Sequence, residues 1–94
     1  MSDKIIKSGI TKWDIENIEK VPACMGVFIV RSSPIDDYII AIEKTEDIKR
    51  SLMTIYNEQI YPNVNFFDWY QTENMIDAET LLRDLRNKYN LAHN

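Results

Sequence analysis

Apolar residues recur along this chain with two different periods, and each period predicts a different kind of element. Short continuous apolar runs predict three strands, at residues 25–30, 38–42 and 64–70. Apolar residues three or four positions apart predict three helices, at residues 12–20, in the segment that follows Thr45, and at residues 76–89. The predicted order of elements is therefore α-β-β-α-β-α.

Capping and turn residues indicate where these elements end. Thr11 and Thr45 are predicted N-caps, because a hydroxyl at that position accepts a hydrogen bond from the first helical turn. Pro22 ends the first helix, and the polar stretch 32–37 joins the first two strands as a hairpin. We expect an α/β (α+β) fold, in which helices flank a three-stranded antiparallel or mixed sheet. It forms one small domain at residues 12–94, after a flexible tail at residues 1–11.

The composition fits one folded domain with an acidic surface. The 94 residues are 45% hydrophobic and carry a formal net charge of −4, whereas nucleic-acid binders usually carry an excess of cations. The single cysteine, Cys24, leaves no intrachain disulfide and favours a reducing, cytoplasmic setting. Neither a secretory signal nor an apolar run of membrane-spanning length is recognisable, so we expect no membrane partner.

Short motifs follow one another along the chain in a fixed order. They are Val21-Pro22, then Gly26-Val27-Phe28 after three residues, Ala41-Ile42-Glu43-Lys44-Thr45, Asp77-Ala78, Leu82 and Asn94. In this order and spacing the chain resembles the GIY-YIG nuclease superfamily, and in particular the N-terminal domain of the bacterial excinuclease of that superfamily. The resemblance covers residues 12–94 and implies a fold related to DNA repair.

The resemblance also implies a particular chemistry at four positions. In the family, a metal ion held by a glutamate stabilises the charge that forms during phosphodiester hydrolysis, an arginine neutralises the phosphate, and tyrosines help to activate water. The matching positions here are Phe28, Ala41, Ser51 and Leu82. None carries the group that the family uses there, so the resemblance implies a catalytically inactive domain with no metal and no cofactor.

Neighbouring residues define an alternative, a Mg²⁺-dependent endonuclease whose catalytic groups have moved. Its candidates are Tyr38, Glu43, Arg50 and Glu79. Arg50 is adjacent to the arginine position, but one helical step turns a side chain by about 100°. Glu79 lies on a helix face near that of Leu82 and is spaced to form a surface ion pair with Arg83. Strand alternation points Tyr38 away from the face of Ala41.

Other charged and aromatic residues are candidate binding groups. They are Lys44, Lys49, Arg50, Trp69, Arg83 and Arg86. Acidic residues interleave with these cations, so solvated helix faces are the simplest interpretation, and a narrow phosphate-binding strip is the alternative. The aromatic run 66–70 has no interleaved cation, which favours core packing over base stacking. Exposure of Trp13, Phe67 or Trp69 would indicate a protein interface.

The two residue types most often involved in metal or thiol chemistry occur once each. We interpret Cys24 as a small buried side chain and His93 as an exposed tail residue. The leading hypothesis is therefore an inactive GIY-YIG-like interaction module with an accessory or inhibitory role. Its acidic balance favours a protein partner over nucleic acid. The alternatives are the endonuclease above, a non-catalytic DNA-binding protein, and a homodimer whose contact builds the working surface.

Overall fold

An antiparallel sheet of five strands forms the centre of the fold. The computed structural model describes residues 5–35 and 38–89. The three long strands are β3 (Gly26–Arg31), β4 (Ile39–Thr45) and β5 (Phe66–Gln71), and the two short ones are β1 (Ile6–Lys7) and β2 (Thr11–Lys12). The helices are α1 (Ile15–Glu19), α2 (Ile48–Glu58) and α3 (Met75–Lys88). The predicted fold class is confirmed, with two more strands than the sequence pattern suggested.

Strand β3 lies in the middle of the sheet, between β4 and β5, and is buried along its whole length. Its continuous apolar run is what a strand covered on both faces requires. Phe28 and Val30 face one core, formed with α1 and α2, while Val27 and Ile29 face a second core, formed with α3. The sheet therefore separates two apolar layers, which we call the α1/α2 face and the α3 face.

Gly26 brings β3 and β5 together at the start of the strand. A Cβ atom added at this position would overlap the carbonyl oxygen of Tyr70 and meet Ile48 Cδ1 at 3.0 Å. The absence of a side chain is thus what allows this close approach. The contact involves residues of both cores, so Gly26 holds the two layers in register.

The N-terminal segment runs along the outer edge of β5. Both β1 and β2 pair with β5, and between them Ser8 donates its backbone N–H to the Trp69 carbonyl at 2.9 Å. The Ser8 hydroxyl in turn accepts from the Trp69 N–H at 2.8 Å. These contacts fall within the predicted tail of residues 1–11, of which residues 1–4 lie outside the described part of the chain.

Helix α1 is shorter than predicted because a different residue caps it. The Asp14 carboxylate accepts from the Asn17 N–H at 2.9 Å, which makes Asp14 the N-cap in place of Thr11. Thr11 pairs with Phe67 across β2 and β5. An ionised carboxylate is a strong cap beside the positive end of a helix dipole. The helix therefore begins at Ile15, three residues later than the pattern suggested.

Helix α2 also begins later than expected, because β4 continues beyond its apolar run. Val27 pairs with Lys44 and Gly26 with Thr45, so the polar end of the motif still belongs to the strand. Asp47 is the N-cap, since its carboxylate accepts from the Arg50 N–H at 3.0 Å. The prediction of Thr45 as cap is wrong, and its hydroxyl instead accepts from the Asp47 N–H at 3.1 Å.

The ends of α2 and α3 follow ordinary capping rules. Gln59 ends α2 in the left-handed region, with φ 51°, and the loop that follows contains Asn63 at φ 63°. Asn74 caps α3 by accepting from the Asp77 N–H at 2.8 Å. Among the described residues, no helix is both long enough and apolar enough to cross a membrane.

Candidate functional site

A groove of about 390 Å³ lies between β4 and α2. We call it the β4–α2 groove. It is lined by Phe28, Glu43, Lys44, Arg50, Ser51, Thr54, Ile55, Ile60 and Tyr61. Phe28 and Glu43, which pair across β3 and β4, line its sheet side, and the first turns of α2 supply Arg50 and Ser51 on the other side. This groove contains two of the four positions that the resemblance to nucleases singles out.

Those four positions do not all meet in the groove. Phe28 is only 3% exposed, and Ser51 shares a hydrogen bond of 2.6 Å with the Thr45 hydroxyl. Ala41 is half-buried against the core on the α1/α2 face. Leu82 packs against the core on the α3 face, so the sheet lies between it and Ser51. At the two of these positions that line the groove, Phe28 therefore supplies an aromatic ring and Ser51 a hydroxyl that is already hydrogen-bonded.

The four candidates for a migrated active site are split in the same way. Glu43 and Arg50 line the β4–α2 groove together. Glu79 lies on α3 and accepts a hydrogen bond from Lys44 Nζ at 2.8 Å. Tyr38 is exposed just before β4, five residues from Glu43, which corresponds to about 16 Å along a strand. Within residues 5–35 and 38–89, no group of three or more His, Cys, Asp or Glu side chains could hold a metal ion.

The ion pair with Lys44 changes the protonation of Glu79. The hydrogen bond and the charge of Lys44 hold the pKa of the Glu79 carboxyl below its ordinary value, and Arg83 adds to the effect. In the β4–α2 groove, burial and then the negative charge of Glu43 raise the pKa of the Tyr61 hydroxyl. Tyr61 is therefore a neutral hydrogen-bonding group at neutral pH, close to the Glu43 carboxylate.

The six predicted binding residues fall on both sides of β4. Lys49 and Arg50 lie on α2, and Trp69 is half-buried against the core of the α1/α2 face. Arg83 and Arg86 line a shallow groove of about 250 Å³ on α3, together with Glu79, Leu82 and Asn87. Lys44 points to this α3 side through its bond to Glu79. The structure thus provides no single strip that contains all the cations named.

Arg86 is held by the edge of the sheet. Thr72 donates its backbone N–H to the Met25 carbonyl at 3.0 Å, so the backbone groups of Met25 point toward β5. From there along β3, the backbone groups of successive residues point alternately to β4 and to β5. The same alternation holds along β4, and it makes the Ile42 carbonyl point away from β3, toward the free edge of the sheet. Arg86 Nη2 donates to that carbonyl at 3.1 Å and lies 4.0 Å from Glu43 Oε1. The arginine thereby covers part of an otherwise open strand edge.

A second groove continues from the first across Ile55 and Tyr61, which line both. We call it the aromatic groove; its volume is about 450 Å³. Its lining residues are Trp13, Ile55, Tyr56, Gln59, Tyr61, Pro62, Asn63 and Val64. Trp13 packs edge-on against Phe67, with ring centroids 5.6 Å apart. Trp13 therefore joins the core and lines this groove, instead of lying in a helix as the pattern predicted.

A buried ion pair on the α3 face was not anticipated from the sequence. Arg31 Nε and Nη2 donate to the two carboxylate oxygens of Asp68 at 2.8 and 3.1 Å, and both residues are at most 2% exposed. Burial lowers the pKa of the Arg31 guanidinium, but the hydrogen bonds and charge of Asp68 raise it by more. The Tyr89 ring covers the guanidinium at 5.8 Å. The only sequence signal is an aspartate inside an aromatic strand.

The remaining candidates add no chemistry. Cys24 is half-buried, and burial followed by the charge of Asp47 raises the pKa of its thiol. A thiol with a raised pKa is a poor nucleophile at neutral pH. The backbone carbonyl of Cys24 accepts a hydrogen bond from the Ile48 N–H at 2.8 Å, which connects the loop before β3 to α2. His93 lies outside the described residues.

Comparisons with protein-family models, with curated proteins and with solved structures found no match to this chain.

Proposed function

We propose that this chain is a catalytically inactive, GIY-YIG-like domain that acts as a protein-interaction module in the cytoplasm. One observation carries the proposal. The β4–α2 groove, where the resemblance would put a nuclease active site, keeps its concave shape but presents Phe28 and a Ser51 hydroxyl already bonded to Thr45. A concave surface that retains polar and aromatic walls without catalytic groups is suited to binding.

The distribution of charge supports a protein partner over nucleic acid. Lys44 is bonded to Glu79, and Arg86 is bonded to a backbone carbonyl and lies near Glu43, which leaves Lys49 and Arg50 on α2 and Arg83 apart from them on α3. Phosphate contacts need cations that are free to approach the backbone of the nucleic acid. A net charge of −4 adds long-range repulsion of a polyanion. Both facts lower the expected affinity for DNA or RNA.

A metal-dependent endonuclease is the second candidate, because Glu43 and Arg50 line one groove. In that case Glu43 would ligate a hard cation such as Mg²⁺, and Arg50 would neutralise the phosphate. The other two residues of that hypothesis, Tyr38 and Glu79, lie outside the groove, so it would have to work with a single carboxylate. Such a site binds a metal weakly.

A cleavage assay tests the proposal. Purified protein is incubated with supercoiled and single-stranded DNA in Mg²⁺ or Mn²⁺, alongside Arg50→Ala and Glu43→Gln. We expect no cleavage from any of the three. Glu79→Ala is the matched control, since it removes a carboxylate outside the groove. Cleavage by the unmodified chain and by Glu79→Ala, but not by the two groove variants, would establish the endonuclease and contradict the proposal.

A DNA titration at low and moderate salt, followed by tryptophan fluorescence, tests the other alternative. We expect no saturable change. A saturable response that weakens steeply with salt would identify a DNA-binding protein instead, because counterion release governs that interaction.

A further inference from the structure

The aromatic groove is lined by aromatic side chains whose hydrogen-bond donors have no partner within the described part of the chain. The rings of Trp13 and Tyr56 lie 5.6 Å apart, centroid to centroid, with their planes tilted by 56°. Within the described residues, the Trp13 indole N–H and the hydroxyls of Tyr56 and Tyr61 have no hydrogen-bond partner, yet none is among the buried unpaired atoms. These donors therefore reach solvent. Gln59 and Asn63 add side-chain amides nearby.

A proline-rich segment complements a groove of this kind. A polyproline II chain has no internal hydrogen bonds, so its carbonyls are free acceptors, and its prolines bring no N–H donors. Tilted aromatic rings accommodate proline rings, while indole and phenol groups donate to the carbonyls between them. A helix would arrive with its carbonyls already bonded. An ordinary extended strand would bring an N–H donor at every residue, and the Trp13 indole, which can only donate, could not pair with it.

The two charged side chains of the β4–α2 groove that come from β4 each lie near an opposite charge on α3. Lys44 is bonded to Glu79 at 2.8 Å, and Glu43 lies 4.0 Å from Arg86. Arg50, on the opposite wall, is exposed and forms no ion pair with any other residue that the structure describes. Arg50 is therefore the charged side chain of this groove that is most open to an acidic group of a ligand.

The distance between the Arg50 guanidinium and the aromatic groove determines how far an acidic residue must lie from the prolines of a ligand. Arg50 precedes Ile55 by five residues on α2, which is about 7.5 Å along a helix axis. A polyproline II segment advances about 3.1 Å per residue. An acidic side chain about two or three residues from the bound proline would reach the Arg50 guanidinium.

We propose that the aromatic groove binds a proline-rich segment of a partner protein that carries an acidic residue beside its prolines. This inference rests on the proposed interaction module and names its partner chemistry. The prolines lie against Trp13 and Tyr56, the indole and phenol groups donate to the carbonyls of the segment, and the acidic residue pairs with Arg50.

A fluorescence titration tests the inference directly. The chain has two tryptophans, so Trp69→Phe leaves Trp13 as the sole reporter. In that background the protein is titrated with a synthetic Pro-x-x-Pro peptide that ends in glutamates, and with a twin peptide that ends in lysines. Arg50→Glu, Tyr56→Phe and Tyr61→Phe are compared with Tyr38→Phe, which removes the hydroxyl of an exposed tyrosine outside the groove.

We expect saturable binding of the glutamate peptide, weakened about tenfold by Arg50→Glu. The same variant should strengthen binding of the lysine peptide. Each groove Tyr→Phe change should weaken binding about fivefold, by loss of one hydrogen bond, and Tyr38→Phe should change nothing. Absence of saturable binding, equal affinities in Arg50→Glu, or a dimer that occupies the groove would overturn the inference.

Failure of this inference is distinguishable from failure of the proposed function. If the chain neither cleaves nor binds DNA and also binds neither peptide, the result contradicts only the proposed chemistry of the partner. Cleavage or salt-sensitive binding of DNA in the assays above contradicts both.

Discussion

The two faces of the sheet use their polar groups differently. On the α3 face several charged side chains are bonded within the protein: Arg31 to Asp68, Lys44 to Glu79, and Arg86 to the edge of β4. On the α1/α2 face, the side chains of Trp13, Arg50 and Tyr61 line the two grooves and have no hydrogen-bond or ion-pair partner within the described residues. Charged groups that are bonded within the protein contribute to its structure, whereas polar groups that have no partner in the protein are available to a ligand. This contrast supports the proposal that the α1/α2 face is the one that binds a partner.

Removal of one member of the buried ion pair should have the largest effect. Asp68→Ala removes the carboxylate that neutralises the buried Arg31 guanidinium, and such a change typically lowers the free energy of unfolding by about 3–5 kcal/mol. Urea denaturation followed by circular dichroism measures the loss. The double variant Arg31→Met/Asp68→Leu is the control, because it removes both charges and should lose much less. Equal losses in the single and double variants would show that packing, and not the charge, is responsible.

Gly26→Ala should have the next largest effect and should disturb both faces together. The added methyl group would overlap the Tyr70 carbonyl oxygen, and overpacking of this kind costs about 1–3 kcal/mol. Gly9→Ala is the matched control, since a Cβ there meets no atom within 4 Å. Thermal unfolding should separate the two variants clearly. Similar melting temperatures would contradict the close approach of β3 and β5.

Arg86→Ala should expose the free edge of β4. The loss of one charged hydrogen bond to the Ile42 carbonyl should cost about 1 kcal/mol, because the site is partly exposed. An unprotected strand edge can pair with another copy of the chain. We expect self-association that increases with concentration, measured by light scattering. Arg83→Ala removes a neighbouring arginine outside this contact and should remain unchanged; association of both variants alike would point to charge loss instead.

The smallest expected effect concerns the exposed pair of Lys44 and Glu79. Because the folded pKa of the Glu79 carboxyl is lowered, the unfolded chain binds the proton more readily as pH falls. The stabilisation is therefore present above the unfolded pKa and is lost as pH falls through the folded pKa. A carboxyl titration followed by NMR should show the lowered pKa return toward its ordinary value in Lys44→Met. No change in that variant would contradict the ion pair.

Parts of the fold could be predicted from the sequence because local pattern and burial agree there. The run Val27–Val30 indicated a buried strand, and the polar stretch after it indicated a turn. The additional strands could not be predicted, since β1 and β2 have two residues each and gain their hydrogen bonds only from β5. Two caps were missed because a nearby aspartate competed with the threonine at each helix start.

Part of the candidate groove consists of residues that the sequence had singled out. Phe28, Glu43 and Arg50 come from neighbouring elements, and they share one groove. Trp13 and Tyr61 were missed as groove residues, because the pattern placed Trp13 in a helix and gave no reason to single out Tyr61. The bond between Arg31 and Asp68 joins residues 37 positions apart, and no local pattern shows such a pair.

Mapping of amide chemical shifts by NMR tests the contrast between the two faces most directly. The glutamate-bearing Pro-x-x-Pro peptide is added to the labelled protein, and the perturbed amides and the Trp13 indole signal are assigned. We predict that shifts will be confined to Trp13, α2 and the loop that contains Tyr61, with α3 unchanged. Shifts concentrated on α3, around Arg83 and Arg86, would contradict the account.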